Sequence, residues 1–180
     1  MSAFKVPTRD EVAPANQEIF DSLKKRVGFV PNLYATFGLS KTALGTYLAL
    51  QNAHSSIAGK SREVVNLVVS QVNECEYCLA AHTAVGGMLG FTPEQILEIR
   101  SGRASFDPKL DALARFARSV ALNRGKVDPE VTEAFLATGW TQENLVDAIM
   151  AVGDKIISNY LHSVTKIPVD FPAAPKLKQA

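Results

Sequence analysis

The run Glu63-Val64-Val65-Asn66-Leu67-Val68-Val69-Ser70-Gln71-Val72 decides the fold. Valine is stiff at χ1 and favours strands, so a short buried strand is one reading of it. Against that, positions 64, 65, 68, 69 and 72 share one helical stripe, and the chain offers no second strand candidate to pair with it. The run is therefore expected to be a helix and the protein all-α.

Working outward, the punctuation is that of a helical chain. Thr92-Pro93-Glu94-Gln95 combines a Thr cap, a proline at the first helical position and a Gln three residues after the cap. Asp107-Pro108 and Asp128-Pro129 repeat the cap-then-proline signal. Leu110, Leu113, Phe116, Ala117 and Val120 recur at helical spacing, as do Leu145, Ile149, Val152, Ile156 and Tyr160 after Thr141. Residues 9–26 and 41–52 also read as helices, separated by a turn at Gly28 to Pro31. From Ile167 onward Pro168, Pro172 and Pro175 forbid a helix, so residues 166–180 are expected to be an extended tail lying against the body or a neighbouring subunit.

The 180 residues suit one domain, 1–180, with a core over about 30–165. A net charge of +1 and the absence of like-charge blocks give no footing for a nucleic-acid or membrane partner. Met1 to Phe20 has no apolar signal-peptide core, and no run approaches the ~18 apolar residues of a spanning helix. A cytoplasmic location is expected. In that compartment glutathione keeps ordinary thiols reduced, and a disulfide closing a loop as short as Cys75–Cys78 would stabilise little. The two cysteines of the chain therefore call for a chemical explanation.

Cys75, Cys78 and His82 stand at i, i+3 and i+7 and share a face on a helix running from about Cys75 to Leu89, with Gly90 ending it. At the first turn of that helix, unpaired N–H groups and the positive dipole end favour a thiolate, the nucleophilic form. If this helix and the valine-rich one form an antiparallel hairpin turning at Val72 to Glu74, Glu63 faces His82, each about 14 Å from the turn. A carboxylate there would orient the imidazole and raise its basicity, and His82, one turn beyond Cys78, would take the thiol proton.

Glu63, the sequence Cys75-Glu76-Tyr77-Cys78-Leu79-Ala80-Ala81-His82-Thr83, and Pro168-Val169-Asp170-Phe171-Pro172 resemble the AhpD-like alkylhydroperoxidases of the carboxymuconolactone decarboxylase family, in its peroxidase-related group. The resemblance is sharpest over residues 60–90 and extends over about 30–172. It implies an all-helical fold, a homo-oligomer (trimer or hexamer), no cofactor, and reduction of hydroperoxides by the dithiol. The electron donor would be a dihydrolipoyl or thioredoxin-like dithiol. By this analogy Cys78 attacks, Cys75 resolves the sulfenic acid to a disulfide, and Glu63 with His82 relays protons. The helix-terminus argument alone favours Cys75 as the lower-pKa thiol; the i+4 position of His82 favours Cys78. Well-known members carry a second histidine just before the second cysteine, where this chain has Tyr77, which implies a shorter or water-assisted relay.

Other readings of the same residues stand beside this one. The dithiol could switch state as a sensor without turnover, or the cysteines could be small buried hydrophobes. Cys75, Cys78 and His82 could be three zinc ligands, with Glu63 or His54 as a fourth, although a structural zinc usually has a second CxxC or a His pair. Leu79 directly after Cys78 excludes a c-type haem pattern. His54 and His162 read as surface or capping residues, Gly86 and Gly87 as aids to close helix packing, and Trp140 as core or interface.

Overall fold

A computed structural model describes residues 4–177. Among the described residues the regular structure is helical: a 3₁₀ turn at Arg9–Glu11, then α1 (Pro14–Val27), α2 (Asn32–Phe37), α3 (Ala43–Asn52), α4 (Gly59–Val72), α5 (Glu76–Met88), α6 (Pro93–Arg100), α7 (Pro108–Leu122), α8 (Pro129–Ala137) and α9 (Gln142–Thr165). The valine-rich run is helix, and the fold is all-α as expected. By its internal contacts the chain divides into two compact units. One holds the described residues up to His54 together with Leu161–Asp170; the other holds Ser55–Tyr160 and the described residues from Phe171.

In the first unit, the helix expected over 9–26 is two pieces, because Pro14 starts α1 at its first position and Val12 and Ala13 are extended. Gly28, at φ +91°, ends α1 in the left-handed region that only glycine adopts freely. Helix α2 was not expected. It is six residues long, and its first N–H, on Asn32, donates to Asp170 Oδ2 at 2.7 Å. Its cap thus comes from 138 residues away, where no local pattern could announce it. Asn16 is buried and donates to the carbonyls of Gly38 (3.0 Å) and Ser40 (2.9 Å), fixing the end of α2 against α1.

The second unit is built around α4. Every residue from Glu63 to Ser70 is buried, and Val64, Val65, Leu67, Val68 and Val69 are fully so. An all-round apolar helix is an enclosed one, and α4 packs against α5, α6 and α7. Each such side chain contributes about 1.5–3 kcal/mol by leaving water. The expected α7 stripe, Leu110, Leu113, Phe116, Ala117 and Val120, is buried in the same core. Caps follow the sequence signals: Thr92 and Gln95 form a reciprocal capping box, and Asp107 accepts the N–H groups of Lys109 and Leu110. Asp128 precedes α8 without a side-chain capping bond.

Helix α9 follows the expected stripe in part: Val152 is buried in the core, and Leu145 and Ile156 pack against it. Ile149 and Tyr160, taken as part of its apolar stripe, are 46% and 57% exposed. The face turned inward carries Ala148, Ala151 and Val152 together with Asp154, Lys155, Ser158 and Asn159. Two side-chain links join α4 to α9: Arg62 is ion-paired with Asp154, and Asn159 donates to Ser70.

Trp140 is buried, stacked on Phe135, with its Nε1–H on the Lys109 carbonyl at 2.9 Å. A Cβ on Gly86 would come within 3.3 Å of Ile96 Cδ1, so this glycine permits close packing of α5 on α6; Gly87 faces open space. The tail is extended. Phe171 meets Tyr77 edge-on at 5.6 Å between ring centroids, and Arg100 donates to the Pro175 carbonyl at 2.6 Å.

Candidate active site

The α4–α5 connection positions the cysteines. Cys75 N–H donates to Ser70 O at 3.0 Å and Glu74 N–H to Gln71 O at 3.1 Å, the two bonds of a Schellman closure. Glu74 takes the left-handed position, at φ +52°, that glycine usually fills. The turn is tight enough that Cys75 both closes α4 and caps α5. Its Sγ accepts the N–H of Cys78 at 3.4 Å, the capping bond of a helix N-terminus. Gly90, at φ +83°, closes the other end: Phe91 N–H reaches Gly86 O and Gly90 N–H reaches Gly87 O.

Folding back of α5 on α4 brings Glu63 and His82 together, with His82 Nδ1 to Glu63 Oε1 at 2.6 Å. The second Glu63 oxygen accepts from Asn66 Nδ2 at 3.0 Å. Glu63 is buried, whereas the His82 side chain keeps 17% of its surface open. Burial opposes ionisation of Glu63, but the charge and hydrogen bond of His82, helped by Asn66 and Lys155, hold its carboxyl below the usual carboxylate range.

Both cysteines are free and buried, and their thiols are hydrogen-bonded to each other. The bond makes them unequal. Donation by the Cys75 thiol, with the charges of Lys155 and His82 and the Asn159 amide, outweighs burial and brings Cys78 from 9.0 down to about 6. Cys75, as donor to a thiolate in a buried place, is pushed far up. The structure thus brings Glu63 to His82 and Cys75 to Cys78 on the α4–α5 hairpin, with Cys78 the more acidic of the two thiols.

Two residues that the sequence did not single out complete the cluster. Asn159 is fully buried, donates to Ser70 Oγ at 3.3 Å and accepts from Asn73 Nδ2 at 2.9 Å. Lys155, one turn earlier on α9, is 3% exposed. Their sequence signal is a lysine and an asparagine at i, i+4 next to the core residues Ala151 and Val152, a place where helical periodicity alone expects apolar side chains. Of the remaining candidates, His54 is exposed. His162 is buried rather than on the surface, its Nε2 at 3.2 Å from the Ile167 carbonyl just past the end of α9. Tyr77 is buried under Phe171.

A similar fold over nearly the whole chain occurs in solved structures. The AhpD-core peroxidase-related protein of Ralstonia eutropha JMP134 is 20% identical, with a TM-score of 0.84 over 94% of this chain and 92% of that one. The peroxidase-related protein of Silicibacter sp. TM1040 is 22% identical, with a TM-score of 0.80 over 93% and 91%. The debrominase Bmp8, in complex with 2,3,4-tribromopyrrole, is 15% identical, with a TM-score of 0.78 over 94% of each chain. The fold is the AhpD-like helical fold. Residues 41–119, which contain Glu63, Cys75, Cys78 and His82, match the carboxymuconolactone decarboxylase family. No curated protein matches it by sequence. Among the described residues, no helix is long and apolar enough to cross a membrane.

Proposed function

We propose that the protein is a thiol-dependent peroxidase that reduces hydroperoxides through a Cys75/Cys78 dithiol–disulfide cycle. The observation that carries this reading is the buried pair of free cysteines at the N-terminus of α5, Cys78 N–H on Cys75 Sγ, on the helix that presents His82 to Glu63. The Cys78 thiolate attacks the terminal oxygen of R–O–OH; the O–O bond breaks and the alkoxide leaves with the electron pair. His82, held by Glu63 and carrying the proton taken from the Cys78 thiol, protonates the alkoxide to ROH. The Cys75 sulfur then attacks Cys78–S–OH; the S–O bond breaks, and the hydroxide takes the Cys75 proton to leave as water. One hydroperoxide becomes one alcohol and one water while two thiols become one disulfide. A dithiol donor, dihydrolipoyl or thioredoxin-like, then reduces the disulfide by exchange.

Catalytic consumption of an organic hydroperoxide in the presence of a dithiol donor tests the reading. The expected result is many turnovers per chain with a dihydrolipoyl or thioredoxin-like donor. A single oxidation that stops with those donors present would make the dithiol a redox switch instead.

A further inference from the structure

We infer that Lys155 is a positioning residue of the dithiol site, whose buried ammonium holds the Cys78 sulfur in its nucleophilic, anionic form. The inference deepens the peroxidase reading and rests on it for its functional meaning, but its physical content concerns the thiol alone.

The geometry starts from the pairing of α4 with α9. Arg62 on α4 is ion-paired with Asp154, and Ser70, two turns further along α4, bonds Asn159. Lys155 follows Asp154 and lies one helical turn before Asn159, so it enters the interval of α4 that holds Glu63 and Asn66. Both flanking anchors are buried, which fixes the register of the lysine. A lysine is almost never this buried without an anionic counterpart. Asp154, its neighbour on α9, is ion-paired with Arg62 through Oδ2. The remaining negative groups facing Lys155 are the Glu63 carboxylate from α4 and the Cys78 sulfur from α5, and its charge favours the ionised form of both.

The groups acting on Cys78 are Cys75 and His82 from its own helix and Lys155 with the neutral Asn159 from α9, while Glu63 on α4 bonds His82.

The experiment is a rate profile of iodoacetamide alkylation between pH 4 and 10, with the modified sulfur located by peptide fragmentation. The chains compared are wild type, Lys155→Met and Lys155→Arg, with circular dichroism to verify folding; Lys155→Gln replaces the Met variant if that chain does not fold. The inference predicts that the Cys78 midpoint rises by a unit or more in the uncharged variant. Its reaction should then be about tenfold slower below the wild-type midpoint and equal to wild type at high pH, since one unit is a factor of ten. Lys155→Arg should stay with wild type. An uncharged variant that superimposes on wild type, or an Arg variant shifted as far as the uncharged one, would overturn the inference. Loss of the peroxidase reading shows separately, as absent hydroperoxide turnover in wild type with the profile shift intact.

Discussion

Glu63 and His82 are nineteen positions apart in the sequence and 2.6 Å apart in the structure. The whole site follows from that contact, because it requires α4 and α5 to fold back on each other about a turn that also delivers Cys75 to the helix N-terminus. The pair is the orienting half of the proposed proton relay, and the cysteines are the redox half.

Replacing Glu63 by Gln keeps the shape but removes the charge that supports an imidazolium. General-base assistance is worth about 10² to 10⁴ in rate. Loss of the orienting partner should lower hydroperoxide reduction at neutral pH at least about tenfold, the deficit shrinking as pH rises. The folded-state pKa of Glu63 lies below its ordinary 4.5. Its contribution to stability is thus present above about pH 4.5 and is lost as pH falls through the folded value. Urea unfolding of Glu63→Gln should show a flatter acid side than wild type; parallel acid slopes would mean the contact does not stabilise the fold.

Cys75 and Cys78 should respond differently to substitution. Cys78→Ser should abolish hydroperoxide reduction, while Cys75→Ser should stop after one oxidation with a dimedone-reactive sulfenic acid on Cys78. Cys75→Ala, which removes the thiol donor that is the largest influence on Cys78, should move the alkylation midpoint of Cys78 up from about 6. A dimedone adduct on Cys75 in the Cys78→Ser chain, with none on Cys78 in the reverse variant, would exchange the two roles.

Glu74 holds a left-handed backbone conformation at φ +52° in the Schellman turn. Such a conformation costs a non-glycine residue about 1–2 kcal/mol, and glycine gives back part of that through its more flexible unfolded chain. Glu74→Gly should therefore stabilise the fold by up to about 1 kcal/mol, read as a raised denaturant midpoint at unchanged slope. A lowered midpoint would mean that the Glu74 side chain matters more than the turn.

Val146, Ile149, Met150, Ile157 and Tyr160 form an exposed apolar stripe on α9. A patch of this kind marks an interface, and self-association is the outcome expected. Light scattering at micromolar concentration should give a mass that is a multiple of 19.5 kDa, and Ile149→Glu with Ile157→Glu should reduce it. A wild-type mass of 19.5 kDa would contradict this.

The α4–α5 hairpin was legible in the sequence because its determinants are local: a valine stripe, a two-helix turn, a cysteine cap and a closing glycine. The Glu63–His82 register followed from the position of the turn alone. What escaped depends on distant partners. Helix α2 is capped by Asp170, far along the chain. Lys155 and Asn159 are buried on α9 beside Ala148, Ala151 and Val152, where periodicity expects apolar residues, while Ile149 and Tyr160 at the edges of the expected stripe are exposed.

The central claim is a dithiol that takes oxygen from a hydroperoxide within one chain. Its most direct test is a single turnover: reduced protein mixed with one equivalent of an organic hydroperoxide, quenched with acid, and resolved by non-reducing mass spectrometry and alcohol quantitation. The account predicts one equivalent of alcohol and a peptide two hydrogens lighter, carrying the Cys75–Cys78 disulfide. Unconsumed hydroperoxide, or disulfide-linked dimers as the main product, would contradict it.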